Sequence, residues 1–435
     1  MPTRANRRIW IYVLLFVMTA INYVDRINLS VASKSIAAAY HLSPGALGLL
    51  FSSFSWTYLL CLVPLGVLTD LWGTRLTTAV SIIVWSVSSM LTGIAGNFVT
   101  LLLTRLGLGI GEAASFPTGL RVVREWAPFR ERGAATAMLN AGSYAGPAFG
   151  AVFVAWLITI AGWRGSFVLT GLLGFVWVAF WLALFRQPKD ARWLSPEERR
   201  MILAERDGDA PVESAATSGT GSLRALLRSR SMWGVALTQG CGVYSQYLFL
   251  TWLPNYLQTA KGLPILSSGL YTALPYTIAV VLTILLSRMS DRMMTGASAR
   301  SGARRNWVIA SMLLSSVVLL TPFVDAMWLV EILLTFSITF IATGLGMNFT
   351  LMSDLLQTPA AAAKAFSILV LGGNVFALFA PIVTGYVVQI TGSFTWAFVI
   401  AGGLLAAGAL FSFTMTRDPI SAAGDETGVP ARATA

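Results

Sequence analysis

Apolar residues run along this chain in stretches of about twenty, each long enough to cross a ~30 Å hydrocarbon core. Short polar clusters holding Arg, Gly and Pro separate them. The pattern predicts an all-α membrane protein with twelve transmembrane helices. The first six run over 9–31, 46–69, 75–95, 97–121, 135–160 and 164–186. The second six run over 232–258, 265–287, 306–324, 328–352, 362–388 and 395–416. Between them lies a charged, Ser-, Gly- and Ala-rich stretch with a short amphipathic piece around Ser195–Arg200. The expected organisation is therefore an N-terminal bundle (1–186), a linker (187–230), a C-terminal bundle (231–417) and a polar tail (418–435) read as disordered.

The halves echo one another. Gly142-Ser143 followed by Ser166-Phe167-Val168-Leu169-Thr170-Gly171 is answered, 231 residues on, by Gly373-Asn374 followed by Ala397-Phe398-Val399-Ile400-Ala401-Gly402. Asp70 at the end of the second span is answered by Asp291 at the end of the eighth. Matches in the same order indicate a parallel duplication of six spans, giving two pseudo-symmetric six-helix bundles, the architecture of a transporter that rocks one half against the other.

Composition agrees: 56% of residues are hydrophobic, 11% are charged and the mean hydropathy is +0.70, against about 25% charged in soluble proteins. Cys61 and Cys241 lie in apolar spans and His41 in a loop, so neither a disulfide framework nor a zinc or haem site is expected. No cofactor or metal is expected. The net charge of +11 does not call for nucleic acid. Of the Lys and Arg residues, Arg26 and Arg105 fall inside spans and Lys34, Arg164 and Lys261 in loops on one side. All others fall on the side of the N-terminus, which the positive-inside rule makes cytoplasmic, together with the C-terminus. Trp10 follows Arg7-Arg8 with no cleavage site, so the first span is a retained helix.

Four ionisable residues interrupt the apolar spans of the first half. Asp25 and Arg26 are adjacent in Asn22-Tyr23-Val24-Asp25-Arg26-Ile27-Asn28-Leu29-Ser30. Arg105 and Glu112 are two helical turns apart on one face, about 10 Å along the axis. A charge at the bilayer centre costs at least ~2.5–3.5 kcal/mol, so these residues need a cavity or a partner. Arg105 and Glu112 either pair to fix the helices or join Asp25 and Arg26 in a functional set. Gly107, Gly109 and Gly111 lie inside a membrane helix with no preceding strand, which favours close helix packing over a nucleotide loop. The Gly142–Gly150 run with Pro147 indicates a hinge or close packing. In the second half, charge gives way to Gln239, Tyr244, Gln246, Tyr247 and Asn374. A ligand between the halves would meet cations on one side and amides or phenols on the other, which suits an organic anion.

The loop Gly66-Val67-Leu68-Thr69-Asp70-Leu71-Trp72-Gly73-Thr74-Arg75 resembles the signature loop of the major facilitator superfamily. Its second copy, Ser287-Arg288-Met289-Ser290-Asp291-Arg292, has Ser where the family prefers Gly. The resemblance implies the major facilitator fold and a gating role for Gly66, Asp70, Gly73, Arg75 and Asp291, latching the halves on the cytoplasmic side in one state. More narrowly, Asn22-Tyr23-x-Asp25-Arg26-x-Asn28-x-Ser30, Tyr58, Arg105 with Glu112, and Tyr247-x-x-x-Thr251-Trp252-Leu253-Pro254 resemble the anion:cation symporter family. That group includes bacterial carriers of galactonate, glucarate and hexuronates. The resemblance implies proton-coupled uptake of a sugar acid or other carboxylate across the bacterial inner membrane, with Asp25 and Glu112 carrying protons and Arg26 and Arg105 near the substrate carboxylate. Tyr23, Tyr58, Ser143, Tyr244, Tyr247 and Asn374 are the expected specificity positions. Ser143 stands where sugar-acid members tend to place an amide, which leaves room for a bulkier or less hydroxylated acid.

Three rival readings differ in what they require. An enzyme needs a nucleophile, base or metal cluster beyond the four charges. A transporter-fold sensor needs an output domain that 187–230 and the tail do not resemble. A proton-driven efflux antiporter would use the Gly146-Pro147 segment, but the two intramembrane arginines disfavour a cationic cargo. The expected partners are a small organic anion, protons and lipid, with the protein a monomer.

Overall fold

The computed structural model describes residues 7–208, 223–293, 302–357 and 361–421. Among them, nine helical stretches are long and apolar enough to cross a membrane. Two of these, Pro44–Ile94 and Arg132–Leu184, turn at Gly73 (φ 77°) and Gly162 (φ 68°), so each forms two spans. Positive φ is the region open to glycine, and both residues sit where a polar cluster separates apolar runs. Arg230–Thr259 completes the set; it is less apolar because Gln239, Gln246, Asn255 and Gln258 lie along it.

In chain order the helices are α1 (Ile9–Tyr40), α2 (44–72), α3 (74–94), α4 (Phe98–Trp126), α5 (132–161) and α6 (163–184). The second half has α7 (Arg230–Thr259), α8 (Ile265–Met293), α9 (Ala303–Phe323), α10 (Met327–Leu355), α11 (Ala362–Thr391) and α12 (Thr395–Met415). Their ends follow local chemistry. Ser43 caps α2 with Pro44 at its first turn, Asn97 and Thr100 form a capping box at α4, and Ser229 caps α7. His41 takes a left-handed conformation to end α1.

Alternating directions put the start of α1, the end of α6, the start of α7 and the end of α12 on one face, here called the terminal face. Small residues bring the helices together. A Cβ on Gly142 would meet the carbonyl oxygen of Phe16 at 2.6 Å, and one on Gly146 or Gly150 would strike Tyr23 or Val24. The α5 glycines are therefore a close-packing face for α1. On the far face, the halves are joined along α1 and α7. Ser30 Oγ donates to the Thr251 carbonyl (2.5 Å), Asn255 Nδ2 to Ser33 Oγ (2.9 Å) and Gln258 Nε2 to the Val31 carbonyl (3.0 Å). Alongside, α2 meets α11 where Gly48 lies against Pro381 and Gly385 against Pro44.

Two polar segments are more ordered than the sequence suggests. Ile420 in the tail is fully buried and bridges to Leu356, while residues 422–435 lie outside the described residues. In the linker, Pro196–Gly208 is helical and its start docks on the first half. Trp193 stacks on Trp126 with ring centroids 5.3 Å apart. Arg8 joins the N-terminus to the rest, donating to Glu131 (2.5 Å) and Glu198 (2.8 Å). The hydrogen bond from Arg8 holds the Glu131 carboxyl below its ordinary range. A carboxyl so lowered adds stability above its unfolded value of about 4.3 and loses it as pH falls. Arg8→Ala should therefore lower the melting temperature at pH 7, with the gap to wild type narrowing towards pH 4. It should also speed tryptic cleavage at Arg199-Arg200; unchanged cleavage would show that the docked linker does not depend on Arg8.

Candidate functional site

Successive residues on a helix point about 100° apart, so Asp25 and Arg26 take different hydrogen-bond partners. Arg26 turns towards the space between the halves, on the face it shares with Thr19, Asn22 and Tyr23. Asp25 turns into the first half. Its Oδ1 accepts from Ser89 Oγ of α3 (2.9 Å), and its Oδ2 has no hydrogen-bond partner. Beside it Asn28 joins α1 to α6, donating to Thr170 Oγ1 (3.1 Å) and accepting from Ser166 Oγ (2.9 Å). The paired acid and cation of the sequence are thus split between two environments.

The partner of Arg26 comes from α4. Glu112 lies just before Ala113-Ala114, where the helix loosens because Pro117 has no N–H to donate to the Ala113 carbonyl. Arg26 Nε donates to Glu112 Oε2 at 2.8 Å, and Glu112 is fully buried with Oε1 unpartnered. The guanidinium also donates from Nη1 to the Tyr247 hydroxyl of α7 (3.3 Å). It lies 4.4 Å from the Phe54 ring, 4.6 Å from Tyr23 and 5.4 Å from Tyr58. Aromatic faces stabilise a cation that is largely withdrawn from water. One cation therefore contacts both halves at once.

This pair stands at the inner end of a cavity of about 700 Å³ between the halves. Towards the terminal face its walls include Thr136, Leu120, Phe349 and Phe366, each within about two turns of a helix end. Of the expected substrate residues, Arg26, Tyr23, Tyr58, Tyr247 and Asn374 line it. Ser143 does not: its hydroxyl donates to the Asn140 carbonyl of its own helix (2.7 Å). Nor does Tyr244, which is buried with an unpartnered hydroxyl. Asn22, Asn140 and Ser115 do line it and were not among the expected residues. Asn22 Nδ2 is buried without a partner, a free donor beside Arg26. The 3.6-residue period counted back from Arg26 would have found Asn22. Nothing in the sequence aims Asn140 or Ser115 at the same space.

Arg105 is not paired with Glu112, so the structural ion pair left open by their spacing is absent. Arg105 Nη2 donates to Thr92 Oγ1 (2.9 Å), and the guanidinium lies 5.4 Å from the Phe167 ring. It is 1% exposed and borders a void of about 30 Å³ that Arg26, Tyr247 and Thr251 also line, between the cavity and the far face. Gly109 and Gly111 let α4 approach α2 and α3 here, as expected of a packing run. In the second half Gln239 is held by Asn348 Nδ2 (2.9 Å), a buried contact inside one bundle.

In the α2–α3 loop, Gly73 makes the turn, whereas a Cβ on Gly66 would meet nothing within 4 Å, so no close approach occurs there. Asp70 accepts from Arg121 of α4, inside the same half, and Arg75 reaches the Leu182 carbonyl of α6 (2.6 Å). In this arrangement the loop braces the first bundle, and among the described residues Asp70 bonds to Arg121 of that bundle and to none of the second. Asp291 lies in α8, but its side chain lies outside the described residues.

The description "Major Facilitator Superfamily" matches residues 15–299. The chain is 33% identical over 418 residues to a probable L-galactonate transporter of Escherichia coli K12, covering 94% of this chain and 89% of that one. A probable galactarate/D-glucarate transporter of Bacillus subtilis is 32% identical over 430 residues, covering 96% and 93%. The D-galactonate transporter of an E. coli O6:H1 strain is 30% identical, covering 95% and 96%. Among solved structures, a bacterial homologue of the human lysosomal transporter Spinster, inward-facing and unoccupied, aligns with a TM-score of 0.75 at 18% identity, covering 97% and 99%. The inward-open xylose transporter of E. coli aligns at 0.72 and 16%, covering 94% and 96%. These two show the fold.

Removing one member of a buried pair leaves an uncompensated charge, at about 3–5 kcal/mol. Arg26→Ala should destabilise the protein by that order in detergent melts, and adding Glu112→Ala should recover most of the loss. Simple additivity of the two losses would contradict the pairing.

Proposed function

The chain belongs to the major facilitator superfamily, and we propose that it is a proton-coupled symporter that imports an organic anion, a sugar acid or related carboxylate, by alternating access. The observation that carries this reading is the Arg26–Glu112 pair at the inner end of the cavity. A substrate carboxylate arriving there competes with Glu112 for the same guanidinium, and Arg can grip it with two parallel hydrogen bonds. A carboxylate left dry without its counter-charge cannot stay ionised, so Glu112 takes a proton as the anion takes Arg26. Anion and proton then bind together, and the linkage is reciprocal. Asp25, with one oxygen unpartnered, is the second proton carrier. Arg105 at the small void is the cation that receives the anion as it passes between the cavity and the far face.

The terminal face is cytoplasmic and the membrane is the bacterial inner membrane, by the distribution of Lys and Arg. On that orientation the conformation is inward-open: the α1–α7 seam closes the outside, and the cavity faces the cell. The names of the relatives, galactonate and galactarate/glucarate transporters, support a sugar-acid class.

The test is uptake into proteoliposomes under an imposed pH gradient. Glu112→Gln and Asp25→Asn should each abolish uphill accumulation while sparing some exchange of labelled galactonate. Arg26→Ala should lower both by at least about tenfold, the loss of one charged hydrogen bond. Uphill uptake surviving both carboxyl substitutions would refute Asp25 and Glu112 as the proton carriers, uptake indifferent to the pH gradient in the wild type would refute proton coupling, and inside-alkaline extrusion would favour antiport.

A further inference from the structure

We infer that the far face carries a second anion site, a vestibule at the mouth of the α1–α7 seam where Lys34 and Lys261 capture the carboxylate of an approaching organic anion. The inference rests on the anion-import reading above. The vestibule is a cavity of about 430 Å³ whose walls include Lys34, Lys261, Trp252, Asn255, Tyr256 and Phe394; among the described residues no acidic side chain lines it. Lys34 Nζ donates to the Gln258 carbonyl (3.1 Å) and Lys261 Nζ to the Val324 carbonyl (2.9 Å). Each ammonium has three donors, so each keeps donors for a ligand. The other cation expected on this side, Arg164, is committed elsewhere. It donates to the Tyr40 hydroxyl (2.8 Å) and the Ala95 carbonyl (3.3 Å) and lies over the Trp163 ring. Two like charges held in one concave site, with no ion pair to either among the described residues, focus a positive potential at its mouth.

The position is as telling as the charge. The inner wall of the vestibule is the closed seam itself, through Asn255 and its bond to Ser33. Beyond the seam lies the small void bordered by Arg105 and Arg26, and beyond that the central cavity. Lys34 and Arg26 stand eight residues apart on α1, about 12 Å along its axis, and both reach α7. Cations thus mark the mouth, the middle and the inner end of one route. The Lys34 bond also crosses the seam, so an anion that draws Lys34 from the Gln258 carbonyl removes one of the contacts holding the far side shut. The rings of Trp252, Tyr256 and Phe394 beside the lysines suit a carbon skeleton attached to the carboxylate, and so an organic acid.

Two measurements test this. In detergent-solubilised protein carrying Cys61→Ser and Cys241→Ser, Ala260→Cys places a thiol in the vestibule wall. The ratio of its modification rates by anionic and cationic methanethiosulfonates should fall about tenfold when Lys34→Gln and Lys261→Gln are added, by loss of the focused potential. An unchanged ratio overturns the site whether or not the protein transports anions. In proteoliposomes, the Lys34→Gln/Lys261→Gln variant should raise the KM for D-galactonate about tenfold at low ionic strength with kcat within about twofold. The difference should close in high salt, and Lys34→Arg/Lys261→Arg should behave as wild type. An unchanged KM with lowered kcat would leave the lysines as seam contacts only and overturn the proposal. Failure of the wild type to take up any organic acid would instead refute the function proposed above.

Discussion

A buried guanidinium shared between a carboxylate and a ring of aromatic faces is the constraint on which the rest of this structure depends. Arg26 cannot be given up cheaply: its charge is permanent, its side chain is only 10% exposed, and Glu112 is fully buried beside it. The pair holds α1 against α4 within one half, while the contact with Tyr247 carries the same cation across to α7. A binding event at one point is thereby felt in both halves. The glycines of α5 serve this arrangement indirectly, because only their missing side chains let α1 lie close enough to present Arg26 to the cavity.

The two faces of the molecule are built from different chemistry. The far side is closed by direct hydrogen bonds between α1 and α7 and by glycine contacts between α2 and α11. Such contacts are individually worth about 0.5–1.5 kcal/mol, so the seam can be strong in sum and still be released stepwise. The terminal side is braced within the first half, by Arg121 on Asp70 and by Arg8 on Glu131 and Glu198. Bracing the first half as a unit while leaving the seam to hydrogen bonds, most of them neutral and one from the Lys34 ammonium, suits rigid-body rocking.

Asp25 and Glu112 are equally buried but differently placed. Glu112 stands in the cavity wall, where a substrate can compete for its cation. Asp25 faces Ser89 and the α3–α6 side of the bundle, outside the cavity wall. On the proposed function the two acids would answer the same anion by different means, Glu112 by direct exchange of a partner and Asp25 without meeting the ligand.

The sequence by itself determined the spans, their grouping into two sets of six, and the identity of the intramembrane charges. Those features rest on composition and period, because lipid admits only apolar helices and makes each buried charge conspicuous. It also marked the Gly109 run as a packing face and the Gly142 run as a hinge or close packing. Only the tertiary structure decided the pairing. Spacing put Arg105 two turns from Glu112, yet Glu112 pairs with Arg26 of another helix, and neighbours in sequence, Asp25 and Arg26, bond to different helices. Likewise Ser143 turned back on its own helix, whereas Asn22, Asn140 and Ser115 came to line the cavity. Period along one helix says which residues share a face; which helix that face meets is settled by how twelve of them pack.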